Sequence, residues 1–420
     1  MDFKKSNKKT KTNHENTDEP TTAMVESLPL DLAIDIVSRL PITSLIRLRF
    51  TSRTFQILSN YPHLAELQYY RTSKNNPCLM FHSYDPIHNQ LCFAELSDHN
   101  NQIVRKLSTP FSDVLLPEFN IIGSCNGLLC LSDNIIGSCN GLLCLSDNVN
   151  GDTMYICNPF TREFKELPRT IEFGEQKVVC GFGFDHVSHV YKVVKVIYYW
   201  KRHNKNPPSP YFRIHNYRAR SEVFVYSSWS PGWRSLGRVH LPHKLEQRSS
   251  EALVNGRLHW LTLRHKCESR YARSIVSFDL GDEKFREVPR PGGQQRCDYH
   301  LTVLRKCLSV SFCNYEDLEI WVMRVYDVKE SWIKEFNIGT SSVPRVVLKP
   351  ELKQSYEIWR KISQVRPAQV LCLLKNGNVL VQHRGRVLMS YDPESGKFEK
   401  LMFQGMPELF QTIVHFGSLA

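Results

Sequence analysis

Five times between residues 155 and 401 the chain runs through a strand-like stretch, a polar turn, an aromatic residue and a short apolar step. These stretches are YICNPFTREFKELP (155–168), VFVYSSWSPGWRSL (223–236), IVSFDLGDEKFREVP (275–289), WVMRVYDVKESWIKEF (321–336) and VLMSYDPESGKFEKL (387–401). Matching openings include GLLCLSD (141–147), LVNGRLHWLT (253–262), LTVLRKCLSVSF (301–312) and VLCLLKNGNVLVQ (370–382), and a looser unit covers 77–108. A lone unit of about four strands has no partner for its apolar faces, whereas stacked neighbours bury one another. About six such units predict a β-propeller, one blade to a unit. Phe164, Trp233, Phe285, Trp332 and Phe398 fall at the same place in the unit and read as packing anchors between blades, not as ligand contacts.

The intervening segments agree with this. KVVKVIYY (192–199), EVFVYS (222–227), SIVSFDL (274–280) and EIWVMRVY (319–326) are rich in β-branched and aromatic residues. Turns are expected at Asn158-Pro159, Asn255-Gly256, Asn376-Gly377 and near Asp392-Pro393. No long amphipathic helix separates the strands, which argues against a parallel βαβ sheet.

Residues 28–58 follow another period. Pro29 suits a first helical turn, and Asp31 meets the positive end of the helix dipole there. Leu32, Ile36 and Leu40 recur every four residues beside Ala33 and Val37, as one apolar stripe. Pro41 ends that helix. Thr43 or Ser44 is expected to cap a second helix carrying Leu45, Leu48 and Phe50, and Ser52 a third carrying Phe55 and Leu58. Three helices in about 35 residues bury little apolar surface alone. Either they dock a partner, or they cap the domain that follows.

The remaining composition mostly excludes. Apolar content of 41% and charged content of 23% are ordinary for a globular protein. No apolar run reaches the roughly 18 residues of a membrane helix. Residues 1–24 are polar and charged and read as a disordered tail, whose five lysines are either a solvated run or a nuclear import patch. Thirteen cysteines, an odd count without Cys-x-x-Cys spacing, predict neither a disulfide framework nor a zinc site. Cys144, Cys157, Cys180 and Cys372 read as small core residues.

No cofactor or metal is expected. There is no Gly-x-Ser-x-Gly elbow, P-loop or His-Glu-x-x-His motif. Gly181-Phe182-Gly183 is an incomplete dinucleotide fingerprint and reads as a turn. His259, His300 and Asp279 are the residues a hydrolytic propeller would use, but a structural role is the simpler reading.

The net charge is +12, which points to an acidic partner or a nucleic acid. Much of it lies in the tail and in KRHNKNPPSPYFRIHNYRAR (201–220), where Pro207, Pro208 and Pro210 exclude regular structure. That segment is either a solvated insertion or a target-contact loop offering Lys201, Arg202, Arg213 and Arg218.

One stretch is not propeller periodicity. IIGSCNGLLCLSDN occurs at 121–134 and again, identically, at 135–148. It reads either as a recent local duplication or as a sequence or gene-model error. The second copy keeps the spacing to Asn158-Pro159 and is assigned to the blade. The first is expected to be a looped insertion, which costs little loop entropy, though exchange between copies is conceivable.

Leu28-Pro29-x-Asp31-Leu32, Ile36-x-x-Arg39-Leu40-Pro41 and Ser44-Leu45-x-Arg47 resemble an F-box. Asp35 stands where the family usually has Glu, and Thr51-Ser52-Arg53-Thr54-Phe55 stands where it usually has Val-Cys-Lys-x-Trp. Downstream, several segments are similar to the F-box-associated, kelch-like domain of plant F-box receptors. They are Gly137-Ser138-Cys139-Asn140-Gly141-Leu142-Leu143-Cys144, Asn158-Pro159-x-Thr161-Arg162, Gly181-Phe182-Gly183-Phe184-Asp185, Tyr191-Lys192-Val193-Val194 and Asn255-Gly256-x-Leu258-His259-Trp260. Phe278-Asp279-Leu280, Ile320-Trp321-Val322-Met323 and Glu330-Ser331-Trp332 continue the order.

The resemblance implies an α+β multidomain chain: a three-helix F-box over 25–66, then an all-β propeller of about six kelch-like blades over 75–420, interrupted by the duplication at 121–148. It also implies a non-catalytic substrate-recognition subunit of a Skp-cullin-F-box ubiquitin ligase. Leu28, Pro29, Leu32, Ile36, Leu40, Pro41, Leu45, Leu48 and Phe55 would contact a Skp-type adaptor. The propeller would hold a protein target in the cytoplasm or nucleus, with no role for a membrane and little for nucleic acid. The alternative is a binding scaffold whose F-box no longer docks.

Overall fold

A strand buried on one face alternates in polarity, and an unbroken apolar run needs a neighbour on both faces. Val190–Tyr199 is such a run, buried from Lys192 to Tyr199. A computed structural model of the chain supplies those neighbours. It describes residues 29–49, 51, 53–59, 64, 67–68, 70–71, 77–85, 90–96, 103–106, 120–125, 128–132, 138–139, 142–146, 154–158, 164–170, 176–199, 220–228, 230–239, 244–245, 250, 252–262, 265–267, 270–292, 298–313, 317–339, 352, 356 and 368–415. The basic tail, Leu28, and Lys201, Arg202, Arg213 and Arg218 lie outside them.

Among the described residues, five antiparallel sheets of four strands form the body. Sheet 1 joins both ends of the chain: Leu409–His415 pairs with Cys78–Asp85, followed by Gln90–Glu95 and Arg105–Lys106. Sheet 3 is Gln176–Asp185, Val190–Tyr199, Arg220–Ser227 and Arg234–Arg238. Sheet 4 is Ala252–Val254, Arg257–Leu261, Ile275–Asp279 and Phe285–Val288, with a ribbon of His265–Cys267 and Arg270–Ala272 inserted between its middle strands. Sheet 5 comprises Asp298–Leu304, Cys307–Cys313, Asp317–Met323 and Trp332–Gly339, and sheet 6 Ala368–Leu373, Val379–His383, Val387–Asp392 and Lys397–Leu401.

Against the expected six, five sheets therefore have regular blade form. The duplication accounts for the difference. Sheet 2 holds six strands in place of four: Asn120–Cys125, Leu128–Ser132, Ser138–Cys139, Leu142–Ser146, Met154–Cys157 and Phe164–Glu166. The second copy does enter the blade, with Leu142–Ser146 paired to Met154–Cys157. The first copy is not a loop, as the sequence suggested. It forms a hairpin whose second strand lies parallel and in register with its own duplicate, Leu131 opposite Leu145 and Ser132 opposite Ser146. An apolar strand with unpaired backbone finds a partner, and here the nearest one is its twin.

The core lies between sheets. Leu258, Trp260, Val276 and Phe278 of sheet 4 meet Val179, Val194, Val196 and Val225 of sheet 3. Similar clusters join sheets 2 and 3, 4 and 5, 5 and 6, and 6 and 1. Two of the repeated aromatics also carry a polar link: Trp233 Nε1 donates to Pro168 O (2.5 Å) and Trp332 Nε1 to Pro289 O (2.9 Å), each reaching back to the preceding sheet. Trp260 Nε1 donates likewise to Cys180 O (3.1 Å). Beside it, Lys192 Nζ is held by Asp185 (3.1 Å), Glu283 (3.1 Å) and Leu280 O (2.6 Å), a buried ion cluster crossing the same seam.

Gly181 and Gly183 lie inside the strand Gln176–Asp185, not in a turn as the sequence suggested. A Cβ on Gly181 would sit 2.5 Å from Trp260 Cζ2, and one on Gly183 2.6 Å from Leu280 Cδ1. The glycines let sheet 4 approach.

Candidate functional site

Residues 30–59 form three short helices: α1 (Leu30–Val37), α2 (Ile42–Arg49) and α3 (Arg53–Ser59). Pro29 stands just before α1, and its carbonyl accepts from Leu32 N and Ala33 N (3.0 Å each). Asp31 occupies the first turn. Pro41 starts α2 in the same way, its carbonyl accepting from Ser44 N (2.9 Å) and Leu45 N (3.1 Å). Thr43 and Ser44, expected as caps, thus lie within the first turn, because the helix begins one residue earlier at Ile42.

The single apolar stripe read from the sequence divides in two. Ala33, Ile34 and Val37 turn inward with Leu45, Leu58 and Leu64. The same cluster continues into Met80, Leu91, Phe93 and Ile413 of sheet 1. The helices therefore have part of the burial they lack alone, supplied by the propeller. Leu32 and Ile36, four apart, turn outward at 52% and 51% exposure, and Leu30, which opens the helix on the side of Ala33 and Ile34, is 46% exposed. Pro41 is exposed, Leu40, Leu48 and Phe55 are half-buried, and Ile57 adds 58% exposure. Leu45 is buried at 2% and supports this face from within. Sequence reasoning missed Leu30 and Ile57 as exposed apolar residues.

A polar clamp also holds α1. Arg71 Nη1 donates to Asp35 O (2.6 Å) and to Ser38 Oγ, and Arg71 Nη2 pairs with the Asp35 carboxylate. Arg39 joins the same carboxylate at 3.0 Å. The Arg71 guanidinium beside Asp35 holds its carboxyl below the usual carboxylate range, with Arg39 adding to it. The shorter Asp side chain at this position is what Arg71 meets.

The three residues imagined for hydrolysis carry structural contacts. His259 is fully buried, its Nε2 2.8 Å from Tyr326 Oη and its Nδ1 3.2 Å from Ala252 O. Burial pulls its pKa down to about 4. Asp279 pairs with Arg257 (2.9 Å) and accepts from Gly281 N (2.9 Å). His300 is buried at 5% exposure. Cys180 and Cys372 are buried, and burial pushes the Cys372 thiol up to about 12. Among the described residues no three His, Cys, Asp or Glu are grouped to hold a metal ion, and no helix is long and apolar enough to cross a membrane.

The division into a helical module and a body of sheets is matched in the comparison with known proteins. A family model of the F-box associated beta propeller domain matches residues 76–416, and one of the F-box domain matches 25–66. The chain belongs to the F-box-associated beta propeller family. Its relatives include F-box protein At3g07870 of Arabidopsis thaliana, 41% identical over 94% of this chain and 92% of that protein. F-box protein CPR1 of the same plant is 26% identical over 94% of this chain and 88% of its own length. Among solved structures, an oligogalacturonate lyase in complex with manganese covers 76% of this chain and 74% of its own at a TM-score of 0.37 and 9% identity, too remote to bear on fold or activity.

Proposed function

We propose that this F-box protein is a non-catalytic substrate receptor of a Skp-cullin-F-box ubiquitin ligase, acting in the cytoplasm or nucleus. The reading rests on the outward face of α1. Leu32 and Ile36 are large apolar residues, about half exposed, on a helix whose other face is already buried. A contiguous apolar surface of this kind marks an interaction site. The F-box match and the relatives named F-box proteins support a Skp-type adaptor as its occupant.

On this reading the irregular sheet 2 holds the sixth blade position, and the ring presents its loops to a protein target. Lys201, Arg202, Arg213 and Arg218 are proposed target contacts, by their charge. Pull-down with a Skp-type adaptor tests the reading: Leu40→Ala and Pro41→Ala are expected to weaken capture, and absence of capture by the native chain would reject it.

One observation favours a second reading. The seat on sheet 1 gives the helices a structural role that needs no adaptor, and Thr51 to Phe55 departs from the F-box pattern. A scaffold without ligase function would bind targets and not the adaptor.

A further inference from the structure

The C-terminal end of α1 is closed by a residue far along the chain. A helix leaves its last carbonyls without a partner of its own. Asp35 O is one of these, because Arg39 N donates instead to Ile36 O (3.2 Å) and Leu40 N to Val37 O (3.1 Å). Ser38 Oγ donates to Asp35 O (2.9 Å), and Arg71 Nη1, 36 residues away, donates to the same oxygen (2.6 Å). Arg71 also meets the buried Ser38 hydroxyl and the Asp35 carboxylate. The last turn of α1 has no basic residue of its own, so Arg71 brings the positive charge that this end of a helix dipole favours.

Its grip lies at the edge of the exposed apolar face. Asp35 follows Leu32 by three residues and adjoins Ile36, and Leu32 and Ile36 are about half exposed. On the inward side Ala33, Ile34 and Val37 seat the helix on sheet 1. Apolar contacts of that kind are not directional, and by themselves leave the helix some freedom to turn about its axis. A guanidinium is a rigid planar fork. Held on a carbonyl, a hydroxyl and a carboxylate at once, it fixes that turn, and with it the direction of Leu32 and Ile36. A surface already ordered loses less freedom when a partner docks.

We infer that Arg71 is a positioning residue for adaptor binding, setting the outward face of α1 through Asp35 and Ser38. The inference rests on the receptor reading above.

Surface plasmon resonance of the full chain over an immobilised Skp-type adaptor tests it, with a melting curve for each variant. Arg71→Gln weakens binding about fivefold, and Arg71→Lys, which keeps the charge at the helix end, recovers about half of that loss. Asp35→Asn also weakens binding, and adding Arg71→Gln to it costs little more, because the two act through one contact. A purely structural role would lower the melting temperature and leave the affinity alone. Should Arg71→Gln not fold, Asp35→Asn and Arg71→Lys are compared with the native chain, and each is expected to bind more weakly. Undiminished binding by Arg71→Gln (or, in its place, by both of the others), an equal loss in Arg71→Lys, or fully additive losses in the double variant would overturn the inference. No binding by the native chain would instead reject the receptor reading.

Discussion

A methyl group on Gly181 would lie 2.5 Å from Trp260 Cζ2 and 2.8 Å from Leu258 Cδ1, both in the neighbouring sheet. Overpacking of this kind costs about 1–3 kcal/mol. Gly181→Ala is therefore expected to lower stability to urea by about that amount. Gly232→Ala, where nothing lies within 4 Å, should stay within about 0.5 kcal/mol; equal effects would contradict the account of the seam. His259 supplies a pH test. Burial holds its folded pKa near 4, below its ordinary 6.5. The unfolded chain then binds the extra proton, so the contribution is complete above about pH 6.5 and is lost as pH falls toward 4. It amounts to about 2 kcal/mol between pH 7 and pH 5. Urea unfolding of His259→Gln should show a drop over that interval smaller by this much; an unchanged slope would reject it. Gly181 shows why such a residue is hard to read from sequence. Glycine signals a turn locally, and only the approach of Trp260, about 80 residues away, shows that it serves packing.

At the scale of elements, the aromatic endings do different work. Trp233 and Trp332 close on the preceding sheet through their indole N–H. Phe285 lies against Trp260 and Phe278, and Phe398 against Tyr391, by ring contact alone. Trp332→Phe should lose about 1 kcal/mol for the hydrogen bond to Pro289, read as a fall in melting temperature; no fall would show that the link contributes nothing. Deleting 121–134 should free Ser138–Cys139 to extend along Leu142–Ser146 and leave a four-stranded sheet. The shortened chain is expected to be at least as stable and less prone to aggregate by size-exclusion chromatography. Loss of soluble protein would show that the sheet needs both copies. Blade strands were legible because each carries its own apolar run and turn. Asn255-Gly256 is one such turn, with both residues at positive φ (52° and 70°). The pairing of Leu128–Ser132 with its duplicate was not legible, because two identical strands offer one sheet the same side chains. Nor was Leu409–His415 as the partner of Cys78–Asp85, since the pairing spans most of the chain and leaves no local mark.

For the whole molecule, the ring and the helical module are one packing unit at sheet 1, where Met80, Phe93 and Ile413 meet Ala33, Ile34 and Val37. The sequence showed a docking module and a cap as alternatives. The structure shows the cap on the inward face of α1, and the docking reading rests on Leu32 and Ile36, which that packing leaves exposed. Period alone could not separate Leu32 and Ile36 from Ala33 and Val37, because both sets are apolar and only the presence of sheet 1 tells them apart. We propose that Leu32 and Ile36 of α1 meet a Skp-type adaptor. Isothermal titration of the full chain with that adaptor tests it most directly. Leu32→Glu with Ile36→Glu should weaken binding more than about tenfold, since each removes a large apolar contact and leaves a charge against an apolar partner. Val187→Glu, at 85% exposure on sheet 3, should bind as the native chain does. Undiminished binding by the α1 variant, or none by the native chain, would contradict the account.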